Sequence, residues 1–280
     1  MLLTDPIDLP PLPTLKLAVV GHVEWVTFLR VDHLAQPGLV THAQWSFDEP
    51  AGAGAVIAVK LARLTQQPVH FFTALGKDAL GEQSFNRLEQ LGLKLEVSWK
   101  DHPTRRGISM VDSAGERAIT VIGNRLQPEA SDILPWEQLS SFHAVFVTAT
   151  DAPALRLCRR AANLLATPRL SLRTLQLAAV ELDALIGSAL DPDEQIAMDS
   201  IYPVPKVQIS TEGSMGGQAF PGGRYKAFSL KSPAVDSYGC GDSFAAGVTV
   251  GLAAGWSIAQ AVSLGAECGA KCASYYGPYS

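Results

Sequence analysis

The sequence predicts an α/β protein built on a mainly parallel sheet, on three observations. Short β-rich runs alternate with longer stretches of helical periodicity. The runs are almost wholly apolar, as strands covered on both faces are. Two stretches, 27–48 and 104–122, break the rhythm with β-like segments joined by turn residues. Composition supplies the core: apolar residues make up 47% of the 280 and charged residues only 18%, below the ~25% of an average soluble chain. A mostly disordered chain is thereby excluded. With 22 Lys+Arg against 27 Asp+Glu, 22 − 27 gives a net charge of −5. No basic footprint for nucleic acid or an anionic membrane surface follows from that balance. Roughly 150 residues per domain would allow one large domain or two small ones. With no linker, repeat or low-complexity tract visible, the sequence reads as one domain over 1–280.

Leu17 to Gly21 reads as a buried strand ending on glycine. The stretch 27–48 reads as a hairpin turning at Gln36-Pro-Gly38, the first half of a small β-lid. Ala53 to Leu64 is helical and follows the turn Ala51-Gly-Ala-Gly54. Val69 to Thr73 is a strand, and Ala79 to Leu91 an amphipathic helix stopped by Gly92. The second lid hairpin, 104–122, turns at Asp112-Ser-Ala-Gly115. A strand at Ala144–Val147, a helix near Ala154–Leu164 and a strand at Val207–Ser210 follow, with 165–200 the least legible part. Two helices, about 241–254 and 257–274, close the chain.

Four cysteines (158, 240, 268, 272) follow no zinc spacing, and Cys268 and Cys272 read as small buried residues one helical turn apart. The most apolar late stretch, Phe244 to Trp256, is shorter than the ~20 residues that span a bilayer and is broken by Gly247, Gly251 and Gly255. The N-terminal MLLTDPIDLPPLPTLK lacks a basic start with an apolar core and reads as a loose leader, so a reduced, cytoplasmic protein is expected.

The residues that carry chemistry are Asp236-Ser-Tyr-Gly-Cys-Gly-Asp242-Ser-Phe-Ala-Ala-Gly247. A turn with Gly239 and Gly241 opens straight into a helix, where converging amides and the helix dipole suit an anion. Asp242 at the helix start can take a proton from a hydroxyl that attacks a phosphate held there. The plainer reading is a glycine turn with an acidic residue favouring the helix.

This segment resembles the C-terminal signature of the ribokinase-like (PfkB) carbohydrate kinases, Asp-Thr-x-Gly-Ala-Gly-Asp-x-Phe. Gly52 and Gly54 before Leu61-Ala-Arg-Leu64 resemble the family's sugar-binding turn and helix. Ala74-Leu-Gly-Lys-Asp78-Ala-Leu-Gly81 is similar to its "G-x-D-x-x-G" segment, Gly115-Glu-Arg117 to a lid turn, and Thr211-Glu-Gly213-Ser-Met-Gly216 to its nucleotide-site "T-x-G-x-x-G". The resemblance implies a ribokinase-like fold with a β-lid and an ATP-dependent, Mg²⁺-assisted kinase for a small sugar, nucleoside or related alcohol. It implies Asp242 as catalytic base and the amides of Gly239, Cys240 and Gly241 as the anion hole. Thr211, Gly213 and Gly216 would border the nucleotide, and Glu24, Gly52 and Gly54 the acceptor. Relatives often pair through the lid. With Phe28, Leu39, Trp45 and Phe47 expected to be exposed there, a homodimer is expected.

Departures from the family pattern accompany these matches. Val56 stands where an Asn often bonds the sugar, and Val26 where an Asp does, with Glu24 two residues earlier. The family's "N-x-x-E", which helps hold metal and phosphates, is matched to Ala178-Ala-Val-Glu181, making Glu181 the metal candidate. These losses keep open an alternative, a catalytically impaired binding or regulatory module. Arg105 and Arg106 open a lid strand; adjacent side chains point oppositely, so at most one meets an anionic acceptor. His22 and Trp25 follow the first strand near the acceptor site, Trp25 as a ring to stack on. A Gly-Asp-Ser hydrolase reading of Gly241–Ser243 lacks the required late His, since none follows His143.

Overall fold

The computed structural model describes residues 8–230 and 233–279, so the leader reading falls partly on residues outside them. The chain begins with β1 (Leu17–Val20), β2 (Glu24–Val31), β3 (Ala43–Ala51), α1 (Ala53–Thr65), β4 (Val69–Gly76), α2 (Ala79–Gln90) and β5 (Leu93–Lys100). Then come β6 (Arg106–Val111), β7 (Arg117–Ile122), β8 (Ala144–Val147), α3 (Ala152–Cys158), β9 (Asn163–Ala166), α4 (Leu172–Ala178), β10 (Ala184–Ser188) and β11 (Gln208–Thr211). A short pair, β12 (Gly217–Phe220) and β13 (Gly223–Tyr225), precedes α5 (Cys240–Ala253) and α6 (Ile258–Cys272).

Among the described residues, nine strands form one sheet in the order β13-β12-β11-β10-β9-β8-β1-β4-β5, parallel except for β12 and β13. Alternate residues of β1 serve two cores. Leu17 and Val19 pack with α1, α5 and α6, while Ala18 and Val20 pack with Leu155 of α3 and Leu175 of α4. Burial on both faces explains why these strands read as unbroken apolar runs. Helices α5 and α6 approach closely because a Cβ at Gly247 would lie 2.7 Å from the Gly265 Cα, and one at Gly251 2.6 Å from the Ala261 Cα. Gly247 and Gly251 are therefore a helix-packing seam, while Gly255 lies beyond α5 with nothing near a Cβ built there, and among the described residues no helix is long and apolar enough to cross a membrane.

The two hairpins join as a second, four-stranded sheet, β3-β2-β6-β7, with β2 and β6 parallel. The expected α/β fold with its small β-lid is thus present. One helix is shorter than the expected 154–164: α3 ends at Cys158, and Asn163 and Leu164 belong to strand β9. The turn at Arg159–Ala162 ends α3, its last amides donating back to Arg156, Leu157 and Cys158. The aromatic residues of the lid are also not free. Phe28 is buried, stacked on Phe47 at 5.1 Å and edge-on to Tyr238 at 4.8 Å, and Trp45 meets Phe47 and Tyr276. The chain's own C-terminal segment covers them, Tyr279 donating its hydroxyl to the Pro50 carbonyl at 2.7 Å. Leu39, at the hairpin turn, stays exposed as expected.

Candidate active site

The parallel strands end on one edge of the sheet, and the loops leaving that edge carry most of the singled-out residues. From β1 the chain steps outward to β4 and β5; later it steps the other way through β8, β9, β10 and β11. Neighbouring β1 and β8 are therefore a topological switch point, where open parallel sheets form a crevice. Gly21 and His22 leave β1 there, and Thr148 leaves β8.

The turn before α5 forms as the glycines suggested. Gly239 has φ 74°, a left-handed conformation that a Cβ would strain, and a Cβ there would press on Val56 at 3.0 Å. Asp236 fixes the turn from below: its buried carboxylate accepts from the Tyr238 and Gly277 amides, each at 2.9 Å. No side chain caps α5, and Asp242 lies in its first turn, as the plainer reading also expects. The Cys240 amide is spent on the Ser237 carbonyl at 3.3 Å, which removes one of the three expected anion-hole donors. Gly239, Gly241 and Asp242 itself offer amides bonded to no backbone acceptor among the described residues. Space beside Gly241 is open, nothing lying within 4 Å of a Cβ built there. These features fit a phosphate group.

Burial pushes the Asp242 carboxyl up to about 7, with the charge of Glu194 adding to the effect. Glu194 is the residue the sequence reading missed. It follows β10, where its Oε2 accepts from the Ser188 amide at 2.8 Å and its Oε1 from Arg169 Nε at 2.8 Å. Arg169 also binds Asp191. Asp191-x-x-Glu194 has the "N-x-x-E" spacing with Asp in the Asn place, and it lies past the carboxyl end of a strand. Glu181 does not reach the site. It precedes β10, pairs with Lys206 at 3.2 Å, and is a strand's length of roughly 16 Å from the loops that hold Asp242. The apolar run Ala184-Leu-Ile was the signal that could have corrected the match. Among the described residues no three His, Cys, Asp or Glu cluster as a metal site. A Mg²⁺ ion would take ligands from phosphates, water and the carboxylates of Asp191 and Glu194, oxygen donors of the kind it prefers.

Thr211 ends β11, paired with Ser188 on one side and Gly217 on the other. Gly213 lies in the exposed turn beyond it. Gly216 is buried, and a Cβ there would fall 2.1 Å from the Tyr225 carbonyl oxygen, so the hairpin requires glycine. This loop stands beside the end of β10 and its acidic pair.

On the opposite side, Glu24 is buried between His22, 3.6 Å from its carboxylate, and Arg105, 3.2 Å away. Burial raises the Glu24 pKa and lowers that of His22 to about 3, so His22 is a neutral imidazole. A Cβ on Gly52 would meet the His22 ring at 3.2 Å, and one on Gly54 the His22 carbonyl at 2.7 Å. The Gly52 amide donates to the Tyr238 hydroxyl at 3.3 Å. Both glycines thus serve first to seat α1 against the β1–β2 turn. Val26 and Val56 join Phe28, Ala51 and Tyr238 in a buried apolar cluster where sugar-bonding side chains were missed. Strand alternation turns Trp25 away from the face that carries Glu24 and Val26, and Arg106 away from that of Arg105.

Residues 14–280 match the sequence profile of the pfkB family carbohydrate kinases. No curated protein sequence matches. Among solved structures, the chain is similar to a ribokinase from Thermotoga maritima (23% identity, TM-score 0.73, 94% of each chain covered). It is also similar to an adenosine kinase from Sinorhizobium meliloti (16% identity, TM-score 0.76, 96% of each). A third is the Arabidopsis thaliana ribokinase complexed with ribose and ATP (19% identity, TM-score 0.70, 95% of this chain and 94% of that one).

Proposed function

Because the chain belongs to the pfkB family of carbohydrate kinases, we propose that it transfers the γ-phosphoryl group of ATP to a hydroxyl of a small sugar, nucleoside or related alcohol. The observation that carries this is Asp242, a carboxylate raised to about 7 beside uncapped helix amides. Such a group is ionised enough near neutral pH to accept a proton and basic enough to take one from a polarised hydroxyl. Thr211, Gly213 and Gly216 border the nucleotide, and the amides of Gly239 and Gly241 face the transferring phosphate. Mg²⁺, when bound with ATP, neutralises phosphate charge; Asp191 and Glu194 are the side chains that would hold it. Glu24 and His22 orient the acceptor. The lid sheet, with Arg117 over the Tyr238 ring at 5.5 Å, excludes water. A homodimer through the lid and a cytoplasmic setting belong to the same reading.

The alternative, a binding or regulatory module that has lost catalysis, is favoured by the apolar cluster around Val26 and Val56. Asp242→Asn separates the two. Loss of a general base costs about 10²- to 10⁴-fold in phosphoryl transfer, while calorimetric ATP affinity stays within a few-fold. A wild type that binds ATP and phosphorylates nothing in a broad panel, unchanged by Asp242→Asn, would establish the regulatory reading instead.

A further inference from the structure

The base of the lid and the carboxyl ends of β9 and β10 enclose a pocket of about 470 Å³, lined by Arg105, Asn124, Arg125, Arg169 and Asp193 among others. Three guanidinium groups therefore converge on one space, and their charges are balanced unequally. Arg169 is fully compensated, by Asp191 and by Glu194 at 2.8 Å with Asp193 at 3.9 Å. Arg105 has Glu24 at 3.2 Å. Arg125 has only the Arg169 carbonyl, at 3.3 and 3.4 Å, and among the described residues no carboxylate within 4 Å. Burial and the neighbouring Arg105 lower the Arg125 pKa, the mark of a cation held among like charges. Two buried groups beside it, Arg105 Nε and His22 Nδ1, have no hydrogen-bond partner. An uncompensated, half-buried guanidinium next to unsatisfied polar atoms costs free energy unless an anion enters.

We propose that this pocket is an anion subsite, in which Arg105 and Arg125 hold a phosphate or carboxylate carried by the phosphoryl acceptor. Its placement favours acceptor over nucleotide. Arg105 and Arg125 flank the lid strands β6 and β7, and Arg105 is tied to Glu24 after β1. The nucleotide loop follows β11, four strand spacings or roughly 19 Å along the sheet from β1; it adjoins the Asp193 side of the pocket, next to β10, and not the side that Arg105 forms with Glu24. The apolar Val26 and Val56 then take the place of hydroxyl-binding groups because affinity comes from the charged end of the ligand. The acceptor role rests on the kinase reading; the anion binding does not.

The test uses the full chain and paired probes: ribose 5-phosphate against ribose, fructose 6-phosphate against fructose, gluconate against glucose, with inorganic phosphate alone as a fourth anion. Calorimetry without ATP should find at least one anion binding more tightly than its neutral partner. Arg125→Gln should weaken it about 10- to 100-fold, the worth of a charge-assisted pair, with Arg125→Lys recovering part. In turnover with ATP the anionic partner should be preferred, and Arg125→Gln should act on its KM and leave the Kd for ATP unchanged. Anion binding lost in Arg125→Gln, without phosphorylation of any probe, would leave the subsite standing and overturn its acceptor role. Failure of all four anions to bind the wild type would overturn the subsite. So would an Arg125→Gln effect on ATP binding in place of acceptor binding, since the arginines would then serve the nucleotide.

Discussion

Asp242 carries a cost that can be read in two ways. Its carboxyl, at about 7 in the folded chain against 3.8 for the free group, prefers to be neutral. Below the unfolded value both states are protonated and nothing is lost; between about 4 and 7 the folded state holds the extra proton, so stability falls as pH rises; above about 7 the penalty is constant. Asp242→Asn should therefore melt higher than the wild type at pH 8, by at most about 4 kcal/mol, and equal it near pH 4. The wild-type rate should climb with pH through about 7 as the base ionises, and the variant should lose that limb. Melts at the two pH values and a pH–rate profile check both. Val26 and Val56 supply a second expectation at this scale. With no polar partners there, ribose should turn over with kcat/KM at least about 10²-fold below the best acceptor, measured by coupled assay. Sequence spacing sufficed for Asp242 because its glycines and carboxylate are consecutive. Glu194 and Arg125 were out of reach, because they meet the site only through the packing of separate loops.

Element by element, the "G-x-D-x-x-G" segment turns out to be architectural. Asp78 caps α2 by accepting from the Gly81 amide at 2.8 Å, and it also accepts from the Thr104 amide and hydroxyl, each at 2.7 Å. Burial works against its charge, yet the Thr104 and Gly81 bonds hold its carboxyl below the usual range. One side chain thus joins the start of a helix to the segment that opens the lid strand β6. Asp78→Ala should cost about 1 to 2 kcal/mol, read as a lower urea midpoint at pH 7. That difference should shrink below about pH 4, as the wild-type carboxylate protonates. Gly81→Ala should be at least as harmful, since its Cβ would sit 2.0 Å from the Gly76 carbonyl oxygen. Helices with a polar face or a cap, such as α2, were legible in the sequence. Strands β5, β9 and β10 went unread: β9 and β10 are four and five residues long, and tertiary pairing overrides local preference in so short a run.

For the molecule as a whole, the inner face of the lid runs from buried Val26 and Phe28 through Gly107 and Ser109 to exposed Ile119 and Val121 on the edge strand β7. An unprotected apolar edge favours association with a second copy. Light scattering at micromolar concentration should give twice the chain's mass, and Ile119→Lys with Val121→Lys should return the monomer. The expected contact thus moves from Phe28, Trp45 and Phe47, which the C-terminal segment covers, to β7. By itself the sequence determined the alternation of strand and helix, the two inserted β-hairpins and the glycine turn carrying Asp242, because each of these is written in consecutive residues. Only the tertiary structure decided that Glu181 faces away while Glu194 faces in, that Val26 and Val56 pack into one buried apolar cluster, and that three arginines share one pocket. Those facts depend on which strand ends lie side by side, and strand order follows from burial over the entire sheet, which no local stretch of sequence encodes.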